Sequence, residues 1–285
     1  MTWLFDSSIC YGAGTLQSTW TLTPMILGPM LLVALLYGVG ATRLWSRSSR
    51  ALAHRLVQAM LFGAGWLVLV VALISPIHAM SERVFAAHMT EHELMMAVAA
   101  PLIAAAAPGG ALIWALPAGA RGLFGRAARG ATLAGLWEYM THPTVATILH
   151  GLAIWVWHMP GLFEAALVRG PLHYAQHASF LVTALVFWWV MLRKAESGRA
   201  VLHLFFTALH TSLLGVLLVV SPRLWYPANT LDSSLWGLNA LEDQQLAGLI
   251  MWVPAGLVYA LAALLLAGNW IARSGKGSHD ALRSA

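Results

Sequence analysis

The chain has 285 residues, of which 59% are hydrophobic and 9% are charged. Soluble domains carry about a quarter charged residues, so this composition excludes an ordinary soluble protein and predicts a polytopic membrane protein. The net charge of +5 reflects membrane orientation and does not indicate nucleic-acid binding. Cys10 is the only cysteine, which excludes an intramolecular disulfide and a CxxC site. No catalytic triad, phosphate-binding loop or carboxylate pair stands out, so we predict that the protein is not an enzyme.

Apolar segments of about 20 residues, the length that crosses a bilayer, follow one another along the chain. Lipid tolerates no unpaired backbone, so each segment is expected to be a helix and the fold to be all-α. We expect a transmembrane domain at 24–268, preceded by a periplasmic segment at 1–23 and followed by a mobile cytoplasmic tail at 269–285. The seven predicted transmembrane helices lie at 24–45, 56–75, 84–108, 143–165, 171–192, 199–220 and 244–268.

The basic residues predict the orientation. With the N-terminus outside, 13 of the 16 Lys and Arg residues face the cytoplasm, and only Arg83, Arg169 and Arg223 face outward. This bias sets topology, so we expect the N-terminus outside and the C-terminus in the cytoplasm. The link at 117–137 is expected to lie as an interfacial helix on the inner leaflet. The outer link at 221–243 carries aromatic residues suited to the headgroup region.

Histidine pairs at helical spacing mark two of the predicted helices. His88 and His92 lie four residues apart, which places them on one helix face together with Met95 and Met96. The same spacing recurs at the outer start of the fifth helix, between His173 and His177. Both helices run inward from the outer face, so the two pairs should lie at the same depth. They could supply up to four imidazoles to one or two metal ions; imidazole with thioether suits copper, and imidazole alone also suits zinc.

Other residues near the outer face are weaker candidates for metal binding. His78 precedes the third helix, and His158 precedes Pro160, which should break the fourth helix and free a backbone carbonyl. Asp243 opens the seventh helix, where its carboxylate could orient an imidazole or interact with the helix dipole. The thioether candidates are Met80, Met89 and Met159.

Two alternatives to a copper site stay open on the sequence. A b-type haem protein would use histidines from two helices as axial ligands, either His150 with His210 or His92 with His177. A metal-free scaffold would use the histidines only for packing and hydrogen bonding between helices.

Several motifs in order resemble the CtaG family of caa3-type cytochrome c oxidase assembly factors, which are seven-helix membrane proteins. The matching pieces lie within about 70–268, at 85–92 with 100–102, 155–160, 172–177, 222–227 and 243–252. The resemblance implies a bacterial inner-membrane protein that matures a haem–copper oxidase by supplying copper to it, with the oxidase subunits as partners. The motif positions that it implies as functional are His88, His92, His158, His173, His177 and Asp243, whereas His78 lies outside the motifs.

Overall fold

The computed structural model describes residues 20–46 and 52–283, with side chains up to residue 274. This part of the chain is helical, as predicted, and contains no strand. A π-helical segment, Leu94–Ala99, joins α4 to α5, and two 3-10 turns lie between α12 and α13. The α-helices are α1 Pro24–Trp45, α2 Leu52–Ile74, α3 Pro76–Ser81, α4 Phe85–Glu93, α5 Ala100–Ala106, α6 Gly109–Ala115, α7 Ala118–Arg129, α8 Ala131–Met140, α9 Pro143–Trp157, α10 Pro160–Val168, α11 Gly170–Arg193, α12 Ser197–Val220 and α13 Ala240–Arg283.

Five of these helices, α1, α2, α11, α12 and α13, are long and apolar enough to cross a membrane. Two further spans would each consist of a bent pair: Phe85–Ala106 with Gly109–Ala115, bent by 67°, and Pro143–Trp157 with Pro160–Val168, bent by 75°. The protein is therefore a multi-pass helical membrane protein with five to seven candidate spans. The count of seven requires each bent pair to be one span, and the orientation of the termini remains a prediction.

Prolines account for the irregular backbone in both bent spans. Pro101 cannot donate a backbone hydrogen bond to the preceding turn, and there the helix widens into the π-segment. The indole Nε1 of Trp188 donates to the Met96 carbonyl at 2.9 Å within that segment. Pro160 ends α9, as predicted, and the His158 carbonyl accepts a 2.6 Å hydrogen bond from the Tyr226 hydroxyl. The Met96 and His158 carbonyls are thus satisfied by buried side chains, as apolar surroundings require.

Close packing of α12 and α13 encloses one side of α4. A Cβ added to Gly215 or Gly248 would come within 2.7 Å or 2.6 Å of the other residue's carbonyl oxygen, so only glycine permits this approach. The main core cluster includes the buried aromatic residues Phe163, Phe180 and Trp188. A second cluster lies between α1, α2 and the π-segment. The beginnings of α4 and α11 are held next to each other between these layers.

The link at 117–137 and the C-terminal end of the chain both differ from the structure that the sequence predicted for them. Where one helix was predicted at 117–137, the structure has two, α7 and α8, and α8 continues to Met140. Neither has a buried residue, and together they expose Leu123, Phe124 and Trp137; their interfacial position stays a prediction. The helix α13 continues to Arg283, beyond the predicted end at residue 268 and through most of the expected tail. Cys10 and the rest of residues 1–19 lie outside the described residues. The proposed domain limits remain predictions.

Candidate metal centre

A carboxylate from α13 fixes the beginning of α4. Asp243 accepts hydrogen bonds from the backbone amides of Phe85 and Ala86, both at 2.9 Å, and from the Ser233 hydroxyl at 2.6 Å. A carboxylate at a helix N-terminus accepts hydrogen bonds from the free backbone amides and interacts favourably with the helix dipole. Because its oxygens are occupied in this way, Asp243 acts in this structure as the cap of α4 and is not among the residues whose ligand atoms converge.

The structure brings the two histidine pairs together. The rings of His88 and His92 have centroids 4.4 Å apart, and those of His173 and His177 are 4.3 Å apart. Across the helices, His92 lies 5.2 Å from His177, and His88 lies 6.1 Å from His173. The first histidine of α4 therefore faces the first histidine of α11, and the second faces the second. This arrangement means that α4 and α11 run in the same direction, as the sequence predicted.

His78 joins this cluster from α3 through a carboxylate that flanks His92 in the sequence. Its Nδ1 donates to Glu91 Oε1 at 2.6 Å, and the same oxygen lies 3.8 Å from His177 Nδ1. The His78 ring lies 5.6 Å from that of His173. Burial lowers the pKa of His78, but the charge and hydrogen bond of Glu91 outweigh it and leave this pKa above its ordinary value.

His158 lies at the deep margin of the cluster, with its ring centroid 6.2 Å from that of His92. Its Nδ1 donates to the Ile154 carbonyl at 2.7 Å. The Nδ1 of His88 likewise donates to the Ser81 carbonyl at 2.9 Å. These bonds fix the tautomer, so that the lone pair of each ring is on Nε2, the arrangement commonly found behind metal-binding histidines.

Several ring nitrogens of the cluster histidines have no hydrogen-bond partner. All six histidines are buried, with exposed fractions of 7% or less. Buried side-chain nitrogens without a partner are uncommon in proteins. In this cluster they are His88 Nε2, His92 Nδ1 and Nε2, His158 Nε2, His173 Nε2 and His177 Nε2.

Two groups of three histidines have converging ligand atoms. One ligand atom from each member lies within 4.8 Å of the others, both in the group of His78, His173 and His177 and in the group of His88, His92 and His177. We call the first the outer trio and the second the inner trio. Three imidazoles at this separation fit a transition-metal ion such as copper or zinc.

Three of the methionines that the sequence singled out pack in the hydrophobic core. Met95 packs in the second core cluster, and Met89 and Met96 pack in the main one. Met159 follows the break in the fourth span, and 59% of its surface is exposed. The α-helix gives way to the π-segment directly after Glu93. The predicted stripe of histidines and methionines is therefore interrupted, because the helical period changes after His92.

The link between α12 and α13 also contributes to the site, which spacing alone did not predict. Tyr226 is fully buried, with its ring centroid 4.4 Å from that of Phe163. Asn229 donates at 2.8 Å to the Ser81 carbonyl, the same oxygen that orients His88. Farther along the link, Asp232 pairs with Arg83. No sequence signal connects these distant segments; only the tertiary structure shows that the link covers the cluster.

The fold and this site define a multi-pass helical membrane protein with a buried histidine cluster at one end of the bundle. Residues 35–273 match the family model of the cytochrome c oxidase caa3 assembly factor, Caa3_CtaG, and the chain belongs to this family. The resemblance read from the sequence motifs is thereby confirmed. No curated protein and no solved structure matches the chain.

Proposed function

We propose that this protein binds copper through its buried histidines and supplies it to a maturing haem–copper oxidase. Family membership supports the role in oxidase assembly. The metal part of the proposal depends on one observation, the set of buried imidazole nitrogens that lack hydrogen-bond partners. An unsatisfied buried polar atom costs about 1–3 kcal/mol, a cost that an ion bound to these nitrogens would offset.

The chemistry of the donors fits copper as cargo. Imidazole binds copper, zinc and iron, whereas magnesium and calcium prefer oxygen. The described residues contain no cysteine, so the site lacks a multi-thiolate cage that would hold Cu(I) too tightly to release it. We therefore propose a carrier rather than an enzyme. The charge pattern of the loops would place the cluster on the periplasmic side of a bacterial inner membrane.

The surroundings of the histidines do not favour haem. A bis-histidine haem places its porphyrin ring between two imidazoles. The ring of Phe180 packs 4.8 Å from that of His92, and the ring of His177 is nearly perpendicular to it at 5.2 Å. His150, the other candidate axial ligand, has partners at both ring nitrogens: Thr183 and Tyr259, each at 3.2 Å.

Metal analysis of the purified protein tests this proposal directly. The substitutions His92→Ala and His177→Ala, made together, remove ligands from both trios. We expect copper in the wild-type protein and its loss in this variant, with oxidase maturation impaired in cells at unchanged abundance of the variant. His150→Ala is the matched control, because it removes a buried histidine outside the cluster and should retain copper.

Three outcomes would contradict the proposal. A Soret band in the visible spectrum would indicate haem. A wild-type protein without copper after copper supplementation would favour a metal-free scaffold, or a zinc protein if zinc is found instead. Full oxidase activity in the variant with both substitutions would show that the cluster is not needed for assembly.

A further inference from the structure

The two histidine trios share one residue, and this sharing limits how they can be occupied. His177 belongs to both trios, and its Nδ1 lies 3.8 Å from Glu91 Oε1, beyond hydrogen-bond distance. His177 Nε2 has no hydrogen-bond partner. A neutral imidazole has a proton on one ring nitrogen and a lone pair on the other, so His177 offers a single nitrogen to a metal. Because one nitrogen lone pair binds one ion, the outer and the inner trio cannot both have three imidazole ligands at the same time.

The trios also differ in depth. His173 lies on the first turn of α11 and His177 one turn further along, while His88 and His92 occupy the first two turns of α4. The residues that the trios do not share differ in exposure: His78 and His173 of the outer trio retain 4% and 6%, whereas His88 and His92 of the inner trio have 0% and 1%. An ion arriving from the surface at this end of the bundle would therefore meet the outer trio first.

The surroundings of the outer trio suit the capture of an ion, and those of the inner trio suit its retention. His78 of the outer trio donates to the Glu91 carboxylate, whose negative charge attracts a cation and orients the imidazole. The inner trio packs against aromatic rings, with Phe163 4.9 Å from His88 and Phe180 4.8 Å from His92. The first environment suits capture of an ion, and the second suits its retention away from water.

We propose that a single copper ion exchanges between the outer and the inner trio, with His177 retained as a ligand in both positions. The proposal rests on the proposed copper binding and adds a route within the site. The outer trio takes up and releases the ion, and the inner trio holds it. Keeping one ligand throughout means that the ion never has to leave the protein's nitrogens to move between the positions, a property that a carrier requires.

The test compares three variants in Cu(I) titrations against a chromophoric chelator. The variant His78→Ala/His173→Ala leaves only the inner trio complete, His88→Ala/His92→Ala leaves only the outer trio complete, and His177→Ala leaves neither. We expect one ion per chain in the wild type and in both double variants. His177→Ala should bind more weakly than either double variant, although it changes one residue instead of two.

X-ray absorption gives a second measurement that does not depend on affinity. Each double variant should keep a three-nitrogen shell around Cu(I), and His177→Ala should lose it. Thermal unfolding of the metal-free variants in detergent checks that each is folded, and substitution by Gln replaces Ala wherever a variant is not.

Each alternative arrangement predicts a different result. Two ions per wild-type chain would show two independent positions and overturn the proposal. Loss of binding in one double variant with no change in the other would show a single fixed trio. Loss in both double variants would show one site that uses all the histidines. A wild-type protein that binds no copper would instead refute the proposed function itself, so the two failures are distinguishable.

Discussion

His150 and the six-histidine cluster are buried alike in the same bundle, but their ring nitrogens differ. His150 has Thr183 and Tyr259 at hydrogen-bond distance on its two nitrogens. In the cluster, Nδ1 of His88 is bonded to a backbone carbonyl while Nε2 has nothing to bond to. A buried histidine with two partners is a packing residue, and one with a single fixed partner is prepared to bind something else.

Burial alone therefore does not identify a metal ligand. The haem alternative that used His150 followed from depth in the membrane, which the sequence indicates well. The partners of each nitrogen come from other helices, and the sequence does not indicate them. The number of hydrogen-bond partners at the ring nitrogens distinguishes His150 from the cluster histidines, and substitutions can test this difference.

The largest contrast is expected between His177→Ala and His150→Ala. The first removes the nitrogen shared by both trios, so copper affinity should fall by more than the ~10–100-fold that is typical of changes outside the ligand shell. The second leaves the Tyr259 and Thr183 hydroxyls without their imidazole, which should destabilise the metal-free protein by about 1–3 kcal/mol at unchanged copper affinity. Chelator competition and thermal unfolding in detergent measure the two effects. An equal loss of copper affinity in both variants would contradict the conclusion that His177 is a ligand and His150 is a packing residue.

Glu91→Gln tests whether the charge of this carboxylate acts mainly on the outer trio. The amide can still accept a hydrogen bond from His78, but the negative charge beside the outer trio is lost. We expect copper affinity to fall by about 10–100-fold in the His88→Ala/His92→Ala background, in which only the outer trio is complete. In the His78→Ala/His173→Ala background the fall should be smaller. The reverse order would contradict the assignment of Glu91 to the outer trio.

Acidity should also affect the two trios differently. Glu91 raises the pKa of His78 above its ordinary value of 6.5, so the protonated imidazole is favoured as the pH falls through this raised pKa. Metal binding needs the unprotonated ring. Copper affinity of the outer-trio variant should therefore begin to fall at a higher pH than that of the variant lacking His78. Titrations between pH 5.5 and 8.5 would show the difference, and identical profiles would contradict it.

A second acid near His78 should affect the stability of the protein through its own ionisation. Burial raises the pKa of Glu82 to about 7 from 4.5. A raised pKa in the folded state contributes stability below pH 4.5, and this contribution is lost as the pH rises through about 7. Glu82→Gln, which cannot ionise, should therefore gain thermal stability relative to the wild type over this range. A stability difference that does not change with pH would contradict the burial of this carboxyl group.

The smallest effect on copper is expected from Asp243→Asn. The amide has one acceptor oxygen, so the amides of Phe85 and Ala86 can no longer both be satisfied as they are by the carboxylate. Loss of this cap should cost about 0.5–2 kcal/mol of stability. Copper affinity should be unchanged, because the carboxylate holds the helix and not the ion. A loss of affinity comparable to that of His177→Ala would identify Asp243 as a ligand after all.

Local patterns in the sequence predicted much of this protein. Hydrophobic segments indicated the helices because lipid requires apolar runs of a fixed length, and Pro160 indicated a break because it lacks a backbone donor. The spacing of His88 and His92, like that of His173 and His177, fixed which side chains share a helix face. Two helices that begin at the same membrane face then bring such pairs to the same depth.

Only the tertiary structure decided how the site is completed. Glu91 pairs with His78 from a different helix, Tyr226 reaches a carbonyl 68 residues away in the chain, and Asp243 caps α4 across 157 and 158 residues. Helical periodicity says nothing about contacts between segments so far apart. The sequence therefore determined which imidazoles could meet, because spacing and depth are local properties. Packing between distant helices decided which nitrogens remain without partners.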